Sequence, residues 1–294
     1  MREIPHLAGQ EKCRVLRQER KTDMKKIIAL LLALLMGVLA VGCATTSTTE
    51  TTEETASGDL LDTIKARGTI VVAMEGTWAP WTYVDENNEL VGFDVEVARE
   101  VATRIGVEVE YVTGEWDGLL AGVQVGRYDL MVNGVGYTEE RAEAYDFSDP
   151  YAFNKTALVV RGDNEEIKSL SDLAGKTTCN SANSTYQLAA EDYGATVLDV
   201  ETLDGTMEMV TSGRADATLN AEVSIYDYLA QQPDANIKIV DYLPDVERVC
   251  IIMPKGDSSA TLLAAVNAAL ADMQADGTLK ALSEKYFGGD ITVE

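Results

Sequence analysis

Histidine is nearly absent from this chain, with one residue, His6, in 294. That excludes most acid–base catalysis tuned to neutral pH and most imidazole metal sites. Cysteine is scarce and scattered, at positions 13, 43, 179 and 250, with no CxxC pair and no zinc-ligand spacing. Basic residues are few: 24 Lys and Arg stand against 49 Asp and Glu, a formal charge of −25. A polyanion partner needs clustered Lys and Arg, so no nucleic-acid partner is expected. Metal and cofactor motifs are missing, and none of these groups is expected. What is present, 46% hydrophobic and 25% charged residues, suits a packed globular chain. The length fits one large or two ordinary domains.

Long apolar runs are also missing, with one exception. Met24-Lys25-Lys26 precedes sixteen apolar residues, IIALLLALLMGVLAVG, that end at Cys43. Two lysines before such a run read as a secretory signal. A membrane span is the competing reading, but it wants about 20 apolar residues. Ala40-Val41-Gly42-Cys43 resembles a bacterial lipobox, which implies cleavage before Cys43 and a lipid, palmitate included, on that cysteine. Residues 24–42 are therefore read as a lipoprotein signal peptide. Residues 1–23 are read as an upstream over-read of the true start at Met24, the alternative being a genuine extension. Residues 43–58 are rich in Thr and Glu and lack core formers, so they read as a solvated tether. Removal of residues 1–42 takes away 8 basic and 4 acidic residues, which leaves residues 43–294 with 16 basic, 45 acidic and no histidine, a net −29.

The remainder alternates strands and helices. Thr69 to Met74 is a short apolar run, expected as a buried strand. Val97, Ala98, Val101, Ala102 and Ile105 share one face of a helix over Phe93–Ile105. Val107 to Val112 alternates as a strand does, Glu115 to Val125 reads as a helix, and Asp129 to Val132 as a strand. A second cycle runs through strands near 176–180, 196–200 and 215–219. Its helices are near 184–193, 204–212 and 222–232. An apolar stripe at Leu262, Val266, Ala269, Leu270 and Met273 marks a late helix, and Leu279 to Tyr286 follows. Such alternation predicts an α/β chain with mainly parallel sheets, in two lobes.

Eight motifs in order then resemble one known family. They are Glu75-Gly76-Thr77-Trp78-Ala79-Pro80-Trp81, Leu90-Val91-Gly92-Phe93-Asp94, Trp116-Asp117-Gly118-Leu119-Leu120 and Gly126-Arg127-Tyr128-Asp129-Leu130. After them come Thr138-Glu139-Glu140-Arg141, Phe147-Ser148-Asp149-Pro150-Tyr151, Gly213-Arg214-Ala215-Asp216-Ala217 and the closing Asp276-Gly277-Thr278-Leu279 to Phe287-Gly288. Over roughly residues 60–289 the chain resembles the extracytoplasmic solute-binding proteins of family 3, which serve polar amino-acid ABC transporters. Glu75-Gly76-Thr77 and Gly175-Lys176-Thr177 look most like the cystine-binding branch.

The resemblance implies a type II periplasmic binding protein fold, with ligand held between two lobes joined by two crossing strands. Lobe 1 would be residues 59–152 and 250–294, and lobe 2 residues 156–246. It also implies a lipid-anchored, extracytoplasmic receptor on the cell membrane, monomeric and non-enzymatic. Such a receptor delivers an amino acid to a permease and its ATPase, and cystine is the first guess. An enzyme of the same fold, such as a cyclohexadienyl dehydratase, is the alternative, followed by a ligand-sensing domain.

Residue by residue, Arg141 occupies the position of the carboxylate-binding arginine, which suits a guanidinium fork. Asn133, Gly134 and Gly136 fall where ligand contacts occur, with backbone N–H donors expected around Gly134–Gly136. Trp78 and Trp116 match aromatic positions over the ligand, whereas Trp81 reads as core. Glu75 matches a residue that meets the ligand side chain. Ser184 and Thr185 match a helix-start turn that binds carboxylate, where Asn183 replaces the usual Gly. The acid that holds the ligand ammonium in this family is replaced by Ala221, so the neighbouring Glu222 is expected to supply that charge. Cys179 and Cys250 are left as either a disulfide or two buried thiols.

Overall fold

The structure, a computed structural model, describes residues 58–294. The run read as a signal peptide, Cys43 with its expected lipid, and the stretch to residue 57 read as a tether lie outside the described residues.

Local sequence explains the first unit of the fold. The run Thr69–Met74 (β1) is apolar, with four of its six residues buried, and parallel neighbours pair with both its edges, Glu108–Thr113 (β5) and Leu130–Gly136 (β6). The helix Phe93–Ile105 has the bounds its 3.6-residue period predicts. It stops at Gly106, whose φ of 88° lets its N–H return to the carbonyls of Ala102 and Thr103. Between β1 and this helix lies a small antiparallel ribbon of Thr77–Trp78 (β2), Thr82–Val84 (β3) and Leu90–Val91 (β4).

Two sheets organise everything else. The first has the order β5-β1-β6-β14-β7, where β7 is Tyr145–Phe147 and β14 is Glu247–Pro254. Ala152–Asn154 (β8) also pairs with β14. The second has the order β11-β10-β12-β9-β13, formed by Thr156–Arg161 (β9), Thr177–Asn180 (β10), Thr196–Asp199 (β11), Ala217–Ala221 (β12) and Ile237–Tyr242 (β13). The expectation of mainly parallel sheets needs correction. Each sheet keeps three parallel strands, but β14 runs antiparallel to β6, β7 and β8, and β9 runs antiparallel to β12 and β13. The reversal follows from the route of the chain. It leaves the first sheet through β8 and returns to it through β14, so these strands lie side by side, with Glu247 opposite Asn154 and Val249 opposite Ala152.

Trp81 is fully buried as expected. It stacks on Trp78 at 5.4 Å between centroids and meets Phe287 of the last helix, Thr278–Phe287, at 4.9 Å. Cys179 and Cys250 are both free and buried, which removes the disulfide reading. Burial pushes each thiol up to about 12, so neither carries thiolate at neutral pH.

Candidate ligand-binding site

The carboxyl ends of the parallel strands in both sheets face one cavity. Glu75 follows β1, Gly134 and Gly136 end β6, Asn180 ends β10, Glu201 follows β11 and Asn220 ends β12. This is where open parallel sheets gather their functional side chains, because the strands stop there and loops take over. Among the described residues no cluster of His, Cys, Asp and Glu is arranged to hold a metal.

Eight of the ten residues singled out in the sequence line this cavity: Glu75, Trp78, Trp116, Gly134, Gly136, Arg141, Ser184 and Thr185. Arg141 is the centre of one end. Thr138 caps the short helix Glu139–Ala144 by accepting from the Arg141 N–H, which fixes the arginine in its first turn. The guanidinium is 8% exposed and lies over the Trp116 ring, 5.2 Å from its centroid. It donates to the carbonyls of Gly136 and Asn183, each at 2.9 Å. Among the described residues it forms no salt bridge. Desolvation lowers its pKa, with Glu247 opposing that effect, yet it stays charged. Two of five N–H donors are used, which leaves a buried cation with donors to spare.

Across the cavity the helix Thr185–Asp192 begins. Ser184 caps it by accepting from the Gln187 N–H, so Thr185 and Tyr186 present the N–H groups that a helix leaves without internal acceptors. Asn183 takes the left-handed conformation at φ 56°, so the turn survives without glycine. The Thr185 hydroxyl donates to Glu247 at 2.6 Å. Glu247 sits beside Gly136, where any Cβ would overlap its carboxylate. Gly134 likewise allows the Trp78 ring to close on the strand.

Three placements differ from the expectation. Asn133 is fully buried behind the wall. Its Oδ1 accepts from the Glu75 N–H and its Nδ2 donates to the Glu75 carboxylate, both at 2.7 Å, so it positions Glu75 and does not line the cavity. The Gly134 N–H is not free, because it donates to buried Asp94 at 2.6 Å. Glu222 is off the wall altogether. The helix Glu222–Gln231 starts there, and its first turn carries the carboxylate to the Tyr226 hydroxyl, which donates to it at 3.2 Å.

Two carboxylates were missed. Glu247, on the returning strand, is held by Thr185 and by Asn154 at 3.3 Å, and burial raises its pKa. Glu201, in the loop after β11, lines the cavity with one carboxylate oxygen buried and unpartnered. Its pKa is raised by desolvation, and by Asp199, Glu115 and Asp117. Glu75 is half-buried at the cavity wall. Burial pushes its carboxyl up to about 7, the Asn133 hydrogen bond works against this, and the charge of Glu201 adds to it. The cavity thus has a cationic end at Arg141 and an acidic end at Glu75 and Glu201. Hydrogen bonds also cross it from sheet to sheet. Trp78 Nε1 donates to Asn220 at 3.1 Å, and Asn183 Nδ2 donates to Asp117 at 3.0 Å.

Two α/β sheets that bracket a small dipolar cavity define a two-lobed binding receptor. The chain belongs to the bacterial extracellular solute-binding proteins, family 3, whose model matches residues 70–289. It is 36% identical over 269 residues to the L-cystine-binding protein TcyA of Bacillus subtilis, covering 91% of this chain and 99% of that one. A solved ancestral arginine-binding protein bound to arginine superposes with a TM-score of 0.71 at 37% identity, over 76% of this chain and 99% of the other. The L-cystine solute receptor of Neisseria gonorrhoeae, unliganded and open, gives 0.55 at 40% identity, over 81% and 100%. These relatives are binding proteins, and the family is one of receptors, not enzymes.

Proposed function

We propose that the chain captures a free polar amino acid, L-cystine first, and presents it to an ABC permease driven by its ATPase. The observation that carries this reading is the buried Arg141 guanidinium, without a salt bridge among the described residues, in a cavity whose other end is acidic. A zwitterion complements that layout, because its carboxylate and ammonium each lose water on burial and each need a charged partner. Two cystine-binding proteins among the relatives support cystine over other amino acids. The cleft also supports a long ligand. Thr77, Thr202 and Leu203 line both this cavity and a neighbouring one that reaches Tyr83, Asp204 and Asp227.

The lobes would move about β8 and β14, with residues 59–152 and 250–294 on one side and 156–246 on the other. The bonds Trp78–Asn220 and Asn183–Asp117 would hold the closed state. The functional unit would be a monomer tethered to the cell membrane by lipid on Cys43.

A thermal-shift screen of the full chain against the twenty amino acids and L-cystine tests the binding reading. L-cystine is expected to raise the melting temperature by several degrees, because it binds only the folded state. No shift with any of these compounds sinks the proposal. For the anchor, labelled palmitate fed to expressing bacteria should enter the wild-type protein and be lost in Cys43→Ser. Equal labelling of both would refute the assignment.

A further inference from the structure

Ala221 leaves the ligand ammonium without the partner expected there, and Glu222 is turned to Tyr226. The question is then which groups on the cavity wall have unused acceptors. Glu75 keeps one carboxylate oxygen bound by Asn133, and its other oxygen has no donor among the described hydrogen bonds. Glu201 has a buried oxygen without a partner. Asn180, 1% exposed, spends its amide N–H groups on the Thr218 hydroxyl at 3.2 Å and the Leu219 carbonyl at 2.7 Å. This leaves its buried Oδ1 without a donor. All three residues line the same cavity, Glu75 from the first sheet and the other two from the second.

We infer that Glu201, acting with Glu75 and the Asn180 carbonyl oxygen, is the ammonium-binding group of this receptor and takes the role expected of residue 221. The inference rests on the amino-acid reading above and names the residues that select for an α-amino group. An ammonium has three N–H donors, and the wall offers three unsatisfied acceptors. Orphaned buried oxygens are costly while empty, and a cation that fills them recovers that cost. The presence of Glu75 and Glu201 on one cavity wall has the same logic. Burial, with the charge of Glu201 adding to it, holds a proton on Glu75 in the empty cavity, and an arriving ammonium displaces it. The groups facing Glu75 are Asn133 from β6 and Glu201 from the opposite sheet, with Tyr186 beyond them. The acidic end therefore enforces specificity: a carboxylic acid without an ammonium leaves the Glu201 carboxylate and the Asn180 carbonyl oxygen unpaired.

The test is calorimetry on the full chain with L-cystine and with 3,3′-dithiodipropionic acid, which is cystine without its amino groups. Wild type should bind cystine and not measurably bind the diacid. Glu201→Gln should weaken cystine binding roughly 10- to 100-fold, the loss expected for one charge-assisted hydrogen bond. It should also narrow the preference over the diacid, and Glu222→Gln should leave both unchanged. Repeating the wild-type titration in buffers of different ionisation enthalpy should show proton release on binding near pH 6.5, reduced in Glu201→Gln. Glu201→Asp, which keeps the charge, should recover part of the affinity, so a folding defect is distinguishable from loss of the carboxylate. If wild type binds cystine but Glu201→Gln binds it equally well, or Glu222→Gln is the weakened variant, the inference fails while the receptor reading stands. If wild type binds the diacid as tightly as cystine, or binds neither cystine nor any amino acid of the screen, both fail.

Discussion

Arg141→Ala is expected to reduce amino-acid affinity by two to four orders of magnitude while leaving the empty protein as stable as wild type or more so. The two halves of that result have one cause. In the liganded cleft the guanidinium fork supplies two charge-assisted hydrogen bonds to a carboxylate, each worth about 1.5–3 kcal/mol. In the empty cleft the same group is a buried charge over the Trp116 ring, held only by the carbonyls of Gly136 and Asn183. Deleting an uncompensated buried cation removes a desolvation cost along with those two bonds. A structural arginine would behave differently, because its loss would lower the melting temperature. Arg141→Lys keeps the charge but not the fork and should fall between the two, at about a tenfold loss. Calorimetric titration with the best ligand from the screen, alongside thermal unfolding of each variant, reads both halves. Near wild-type affinity in Arg141→Ala would remove the carboxylate assignment.

The second large effect is on stability against pH. Ordinary acidic groups lose stabilising charge as pH falls, but here the prominent buried carboxyls run the other way. Glu75 rises to about 7 from an ordinary 4.5, and Asp94 rises to about 7 from 3.8, both chiefly through burial. Asp94 remains high although Tyr151 OH donates to it at 2.7 Å and the Gly134 N–H at 2.6 Å. Both groups hold protons in the folded state over a range where the unfolded chain has released them. Folding therefore takes up protons between about pH 4.5 and 7, and stability is greatest below that window and falls as pH rises through it. Self-repulsion from 49 acids against 24 bases acts in the same direction. After allowance for relaxation, the ligand-free protein should lose about 3 kcal/mol between pH 5 and 8, a fall of roughly 6–10 °C in melting temperature. Scanning calorimetry in matched ionic strength measures it, and Asp94→Asn combined with Glu75→Gln should flatten the slope. A profile that is level or rises over that interval would show that neither carboxyl is neutral when folded.

Much of this was readable along the chain. β1 and the helix Phe93–Ile105 fall at their expected residues because their apolar spacing is strict and local. β8 is short and β13 is bulged, whereas β9 and β14 are buried apolar runs whose place in the sheets depends on partners far away in sequence, as with Glu247 opposite Asn154. Arg141 and the two flanking tryptophans were found because each sits in a motif. Glu201 sits in none. It follows a half-exposed strand, and its importance comes from proximity to Glu75, which only the fold creates. Glu222 was chosen by nearness along the chain, but it opens the helix that was expected there, and the first turn of that helix directs its carboxylate to Tyr226.

The placement of the tryptophans has a practical consequence. The chain has only three, at 78, 81 and 116, and all lie in one wall of the cleft or directly behind it. One donates across to the opposite sheet, one sits beneath the Arg141 charge, and the third stacks on the first. No indole elsewhere contributes background. The ultraviolet emission of this protein is thus a built-in optical gauge of the cleft, able to follow opening, closing and capture in real time without any attached dye.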